Sequence, residues 1–184
     1  LFLIGVSLIY GVAGTLNMAQ LAERIPAIAA ADRALVESGA AILAIAFLVK
    51  AAVWPLGFWL PSTYAAASAP AAALFAILSK VGIYAVLRLW LLFFDGQAGG
   101  EFLLYTGMAT MMFGAAGMLA AQRLGTIAAY SLVISSGTLL AAISRADAGV
   151  TAGALFYLVS STLGAAAFFL LIELIQRARP LGAE

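Results

Sequence analysis

Two lysines stand where a membrane should forbid them. Lys50 lies in the apolar run ILAIAFLVKAAV that begins at Ile42, and Lys80 lies in the middle of the next, ALFAILSKVGIYAVLRLW. A cation near a bilayer midplane costs at least ~2.5–3.5 kcal/mol on insertion scales, so a lysine kept there marks an ion or proton path. Between the two runs sits a break, from Trp54-Pro55 to Leu60-Pro61. Pro55 and Pro61 lack an amide hydrogen, and the residue before each is pushed out of helical geometry. Non-helical backbone at membrane depth is tolerated only where protein or a water-filled cavity covers it. A lysine, a broken helix and a second lysine thirty positions on describe an ion path better than an anchor.

Composition sets the solvent. The 184 residues are 65% hydrophobic and only 9% charged, with a mean hydropathy of +1.12, against about 25% charged residues in soluble domains. The expectation is an all-α polytopic membrane protein, because only helices and closed barrels satisfy their backbone inside lipid. A net charge of +1 is too small to argue for nucleic acid or an acidic partner. With no cysteine and no histidine, thiolate metal sites, the commonest metal ligand and the base of a Ser-His-Asp site are all absent. Neither a cofactor nor a metal site is expected. Hydrolytic or redox chemistry would have to be done by other groups, so an enzyme is not the expected reading.

The elements that must hold the lysines follow from hydropathy and punctuation. Leu1 to Leu16 is helical in composition but spans about 24 Å, short of a ~30 Å core. It opens with neither Met nor a basic leader, so a fragment with a truncated first helix is expected. Asn17 is a cap candidate for a short amphipathic stretch, Met18, Leu21, Ala22 and Ile25, that ends near Pro26. A second helix is expected from Ser38 to Val53, then the break, a short piece Gly57–Leu60 and a small-residue connector Ser62–Ser68. Pro70 suits the first turn of the third helix, which runs to Phe94. Asp95 to Gly100 reads as a turn, and Glu101 starts a fourth helix to Ala121 in the place its charge favours. The fifth covers Thr126–Ile143 and the sixth Val150–Gln176, before Arg177, Arg179 and Pro180 stop it. That makes six membrane segments, one interrupted between Val53 and Pro61. Arg24, Arg33, Arg88 and Arg145 on one side against Arg123, Arg177 and Arg179 on the other do not orient the bundle.

Depth separates the candidates. Lys80 is about ten residues, roughly 15 Å, into its helix, too far for its stem to carry the charge to an interface. Lys50 is closer to the break, and contact with free helix-end carbonyls is its competing reading. Arg88 and Glu173 sit near helix ends and read as interfacial. No acid lies at comparable depth, so either the lysines are uncharged part of the time or their counter-ion lies on a helix outside this stretch. Ser131, Ser135 and Thr138 share one helical face, as do Tyr157, Ser161 and Gly164. These mark a candidate polar pathway, against the alternative of ordinary packing through small and hydroxyl residues. Gly107, Gly114 and Gly117 read as close packing.

The run LVKAAVWPLGFWLPSTYAAASAPAAALFAILSKVGIYAVLRL resembles the central signature of the proton-conducting antiporter-like subunits. These occur in Mrp-type (Pha-type) monovalent cation/proton antiporters and in the membrane arm of respiratory complex I. IYGVAGTLNMAQLA from Ile9 to Ala22 and FYLVSSTLGAAAFFLLIELIQR from Phe156 to Arg177 look most like the D subunit of the Mrp/Pha type, and GTIAAYSLVISSG fits more loosely. The resemblance implies a 14-helix fold with two inverted repeats, of which residues 1–184 would span about the sixth to the eleventh helix. It implies Lys50 as the channel lysine of a broken helix and Lys80 as the relay lysine of the next. The partner glutamate and the exit residue would lie outside the chain.

Three departures bear on that implication. Ser62 stands where many relatives have Asp, and a second proline is missing near Ser68. Ser135, Ser136, Ser160, Ser161 and Gly164 occupy stretches where complex I subunits often carry histidine or lysine. This favours the Mrp/Pha branch and places in doubt any relay copied onto the later helices. The implied function is the proton-conducting subunit of a multi-subunit Na+ or K+/proton antiporter of the cell (inner) membrane, with other antiporter subunits and membrane lipids as partners. The alternatives are a proton-pumping subunit of NADH:quinone oxidoreductase or a membrane hydrogenase, and a structural membrane scaffold.

Overall fold

A computed structural model describes residues 1–94, 99–145 and 147–178, and every regular element among them is helical. The order is α1 (Phe2–Ala13), α2 (Met18–Arg24), one 3₁₀ turn (Ile25–Ala27), α3 (Ala30–Lys50), α4 (Trp59–Ala66), α5 (Ala69–Phe94), α6 (Gly100–Ala120), α7 (Leu124–Ile143) and α8 (Ala148–Ala178). Local chemistry sets the ends. Gly14 closes α1 at φ 66°, a left-handed conformation that costs glycine little. The Asn17 side chain accepts from the amides of Ala19 and Gln20 and so caps α2 as its sequence position requires. Pro26 sits in the 3₁₀ turn, Pro70 in the first turn of α5 and Glu101 in that of α6.

Four helices, α5 to α8, are long and apolar enough to cross a membrane. A fifth span results if α1 and the α2 segment, bent by 51° at a short break, count as one. The expected six therefore become four or five, for a physical reason. α3 starts eight residues before Ser38 and gathers Asp32, Arg33 and Glu37 into its first turns, with Arg33 and Glu37 paired at 3.3 Å in an exposed position. Its apolar part, from Ser38 to Lys50, covers only about 20 Å. Large apolar side chains such as Leu119, Phe156 and Leu163 face outward, as they do in a multi-pass membrane protein, whose solvent is lipid.

Three expected boundaries move. Residues 51–58 form the break, whereas Trp59–Ala66, expected as a short piece followed by a connector, is the helix α4. Pro61 lies in its first turn, where no intrahelical amide is needed. Arg177 does not stop α8. It is the fourth residue after Glu173, pairs with that carboxylate, and the helix continues to Ala178. Most of the expected Asp95–Gly100 turn, with Arg179 and Pro180, lies outside the described residues.

α5 is the hub, packing against α3, α7 and α8. Glycines let the other helices close up. A Cβ on Gly107 would stand 2.9 Å from the Gly137 carbonyl oxygen, and one on Gly137 2.7 Å from that of Gly107. This is the small-residue packing by which membrane helices associate, and it binds α6 to α7 as expected from Gly107, Gly114 and Gly117. Gly5 and Gly39 do the same for α1 and α3.

Candidate functional site

Lys80 stands near the middle of α5 and is 1% exposed. Its ammonium donates to Ser135 Oγ at 2.7 Å, with longer contacts of 3.4 Å to Ser136 Oγ and to the Leu132 carbonyl oxygen. An ammonium has three protons to place, and here three oxygens surround it. α7 supplies all of them, because Leu132, Ser135 and Ser136 fall at i, i+3 and i+4 on one helical face. All three partners are neutral. The ion pairs among the described residues are Arg33–Glu37 and Arg177–Glu173, and neither involves Lys80. Beside the lysine a groove of about 370 Å³ opens between α5 and α8, bordered by Lys80, Tyr84, Leu158 and Thr162.

The break is equally well specified. α3 ends in a Schellman motif: the Val53 amide donates to the Leu48 carbonyl at 3.1 Å and the Ala52 amide to that of Val49 at 3.1 Å. Ala52 takes the left-handed position at φ 56°, where glycine is usual. Val53 and Leu48 lie in one buried cluster, the apolar contact that accompanies this motif. Beyond it the backbone groups find partners one by one. The Leu56 amide donates to Val53 O at 2.7 Å, and the Trp59 indole N–H reaches back to Val49 O at 3.0 Å. The Trp54 amide donates across to Thr110 Oγ1 on α6 at 3.0 Å. Gly57 passes so close to Ala52 that a Cβ there would lie 2.1 Å from its carbonyl oxygen. The Trp54-Pro55 peptide is cis.

Lys50 is the last residue of α3 and is exposed, with no side-chain partner among the described residues. The helices that carry the two lysines touch just beyond them. A Cβ on Gly82 would stand 3.1 Å from the Ala51 amide nitrogen and 3.1 Å from the Phe47 carbonyl oxygen. From the far side of the break, Tyr64 of α4 donates to the Phe75 carbonyl of α5 at 2.8 Å. Both ends of the break are thus tied to the helix that holds Lys80.

Of the hydroxyls expected to line a polar pathway, hydrogen bonds bring only Ser135 to Lys80. Ser131 and Thr138 donate to carbonyls of their own helix, Ala128 O and Ile134 O. Ser161 does the same on α8, to Leu158 O, while Tyr157 is partly exposed and Gly164 faces open space. Three polar groups around the site are not evident from sequence. Ser136 is hidden because the face that meets Lys80 is Leu132/Ser135/Ser136, one step around the helix from Ser131/Ser135/Thr138. Thr162 of α8, and not Ser161, borders the groove beside Lys80. Thr110 lies at i+4 from Thr106 in an apolar helix, a spacing that says only that its hydroxyl can bond its own backbone.

The family model described as NADH:quinone oxidoreductase/Mrp antiporter, TM, matches residues 1–181. The chain is 58% identical to the D subunit of a probable K(+)/H(+) antiporter of Rhizobium meliloti (strain 1021), over all of this chain and 35% of that protein. It is 34% identical to the D subunit of the Na(+)/H(+) antiporter of Bacillus subtilis (strain 168), over 93% of this chain and 35% of that one. In the solved structure of the Mrp complex from Dietzia sp. DQ12-45-1b, one chain superposes with a TM-score of 0.82 at 33% identity, over 93% of this chain and 32% of its own length. The chain spans about a third of the length of the relatives it matches.

Proposed function

The chain belongs to the NADH:quinone oxidoreductase/Mrp antiporter transmembrane family, and from that premise we propose that it is part of the proton-conducting subunit of a monovalent cation/proton antiporter. The observation that carries the proposal is Lys80: a mid-helix ammonium, 1% exposed, whose partners among the described residues are neutral oxygens of α7. A lysine placed for structure alone would have a carboxylate or a helix end beside it. Neutral acceptors hold the charge loosely enough for a proton to be passed on, and the serine hydroxyls can donate as well as accept. Lys50, at the foot of the broken helix and exposed there, is the second relay group. The subunit works as a secondary transporter with the other antiporter subunits in the cell (inner) membrane, among its lipids. The names of the relatives support exchange of K+ or Na+ for protons, and the more similar of the two makes K+ the first cation to test.

The test uses the complete protein, co-expressed with its partner subunits. Membrane vesicles are energised to an acid interior, and cation-driven proton release is followed with a pH-sensitive dye. Lys80→Ala and Lys50→Ala should abolish release while leaving the complex assembled. Wild-type exchange in both variants would defeat the proposal.

A further inference from the structure

Thr110 is the only α6 side chain among the described residues whose hydrogen bonds reach the broken segment. It is fully buried, at 0% exposure. Its hydroxyl donates to the Thr106 carbonyl at 2.6 Å and accepts from the Trp54 amide at 3.0 Å. Both capacities of the oxygen are used. The donation into its own helix turn fixes the rotor, so that a lone pair points at the break. The Trp54 amide cannot find a helical partner, because the left-handed turn at Ala52 has already redirected the chain. An amide without an acceptor is costly at membrane depth, and α6 supplies that acceptor from a residue more than fifty positions away.

We propose that Thr110 is a positioning residue for Lys50: it sets where the chain leaves α3, and so where the lysine four residues before Trp54 stands relative to α5. This rests on the relay reading of Lys50 and Lys80. Four contacts among the described residues fix the break laterally, namely Gly82 against Ala51, Tyr64 on Phe75 O, Thr110 on Trp54 and the Phe58 ring edge-on to Phe113 of α6. The first two tie it to α5. Thr110 and the Phe58–Phe113 ring pair tie it to α6, Thr110 by the one side-chain hydrogen bond between them among the described residues, and, through the Gly107–Gly137 packing, to the helix that carries Ser135 and Ser136. The lysine at the break and the acceptors of the other lysine are thereby referred to one rigid pair of helices.

The experiment compares Thr110→Val, which keeps shape and deletes the hydroxyl, with Thr110→Ser, which keeps the hydroxyl, in the complete assembled complex. Thr110→Val should slow exchange per assembled complex about tenfold, the loss expected for an unmade buried hydrogen bond, with the half-saturating cation concentration unchanged. Thr110→Ser should restore most of the rate. Hydrogen exchange of the peptide covering residues 51–58 is read in parallel: the Trp54 amide should be protected in the wild type and exposed in Thr110→Val. A fast-exchanging Trp54 amide in the wild type overturns the proposal even if Thr110→Val fails to assemble. So does an unchanged rate in Thr110→Val, or a Thr110→Ser variant as slow as valine. Lys80→Ala and Lys50→Ala in the same series separate the two readings. If both exchange normally, the relay falls, while the amide measurement still decides whether Thr110 holds the break.

Discussion

Lys80 of α5 and Ser135 of α7 meet across 2.7 Å, the shortest of the three contacts, all to neutral oxygens, that hold a buried ammonium among the described residues. A hydrogen bond to a charged group is worth about 1.5–3 kcal/mol. Ser135→Ala should therefore lower the stability of the complex by about that amount, because Ser136 and the Leu132 carbonyl, both at 3.4 Å, do not replace it. Ser135→Thr keeps the acceptor and should recover most of the loss. Thermal unfolding in detergent reads the stability, and vesicle exchange reads the relay.

Replacing the lysine altogether separates function from stability. Lys80→Met fills the same volume without a charge to desolvate, and the two serines can turn to carbonyls of their own helix. The complex should unfold at an equal or higher temperature while exchange is lost. Lys80→Arg should also abolish exchange, because a guanidinium essentially never releases its proton. A clear fall in unfolding temperature for Lys80→Met would show that the lysine is there for structure.

The parts of this fold that are legible in the sequence are those where a local signal acts alone. The Asn17 cap, the break beside Pro55, the start of α5 at Pro70 and the run of α7 follow from residues a few positions apart. The start of α3 is not legible in this way. Asp32, Arg33 and Glu37 mark a segment outside the lipid, but exposed charges with an i,i+4 pair are equally compatible with helical backbone there. α4 is obscured because Pro61 looks like a breaker, although a proline in a first turn costs no hydrogen bond. At the site, Lys80 stands out by its depth in an apolar run. Its partners do not, since which face of α7 meets α5 depends on the Gly107–Gly137 contact, a relation between residues thirty apart.

That contact yields a further prediction. Gly137 follows Ser136 directly, and a Cβ on it would stand 2.7 Å from the Gly107 carbonyl oxygen and 2.8 Å from Met111. Backbone cannot step aside as a side-chain tip can, so Gly137→Ala must separate α6 from α7 or rotate α7. Overpacking of this kind costs about 1–3 kcal/mol. Rotation would carry Ser135 and Ser136 off the lysine, so exchange per complex should fall further than in Gly5→Ala, which overpacks the α1–α3 contact against the Gly39 carbonyl oxygen and touches none of the Lys80 partners. Equal losses in the two variants would uncouple the packing from Lys80.

The tightest constraint at the break is Gly57. A Cβ there would lie 2.1 Å from the Ala52 carbonyl oxygen and 2.7 Å from its carbonyl carbon, well inside any allowed contact. Ala52 itself cannot retreat: it is fully buried and its left-handed backbone is held by the amides of Ala52 and Val53 on Val49 and Leu48. Gly57→Ala must therefore undo the turn that follows Lys50. The Trp59 indole would then lose its alignment with the Val49 carbonyl and Trp54 its alignment with Thr110. The expected result is a destabilisation at or above the upper end of the usual range of about 1–3 kcal/mol for overpacking, with protease cleavage or rapid hydrogen exchange appearing first within residues 51–58. A variant as stable and as well protected as the wild type would mean that the chain leaves α3 along a different course from the one described.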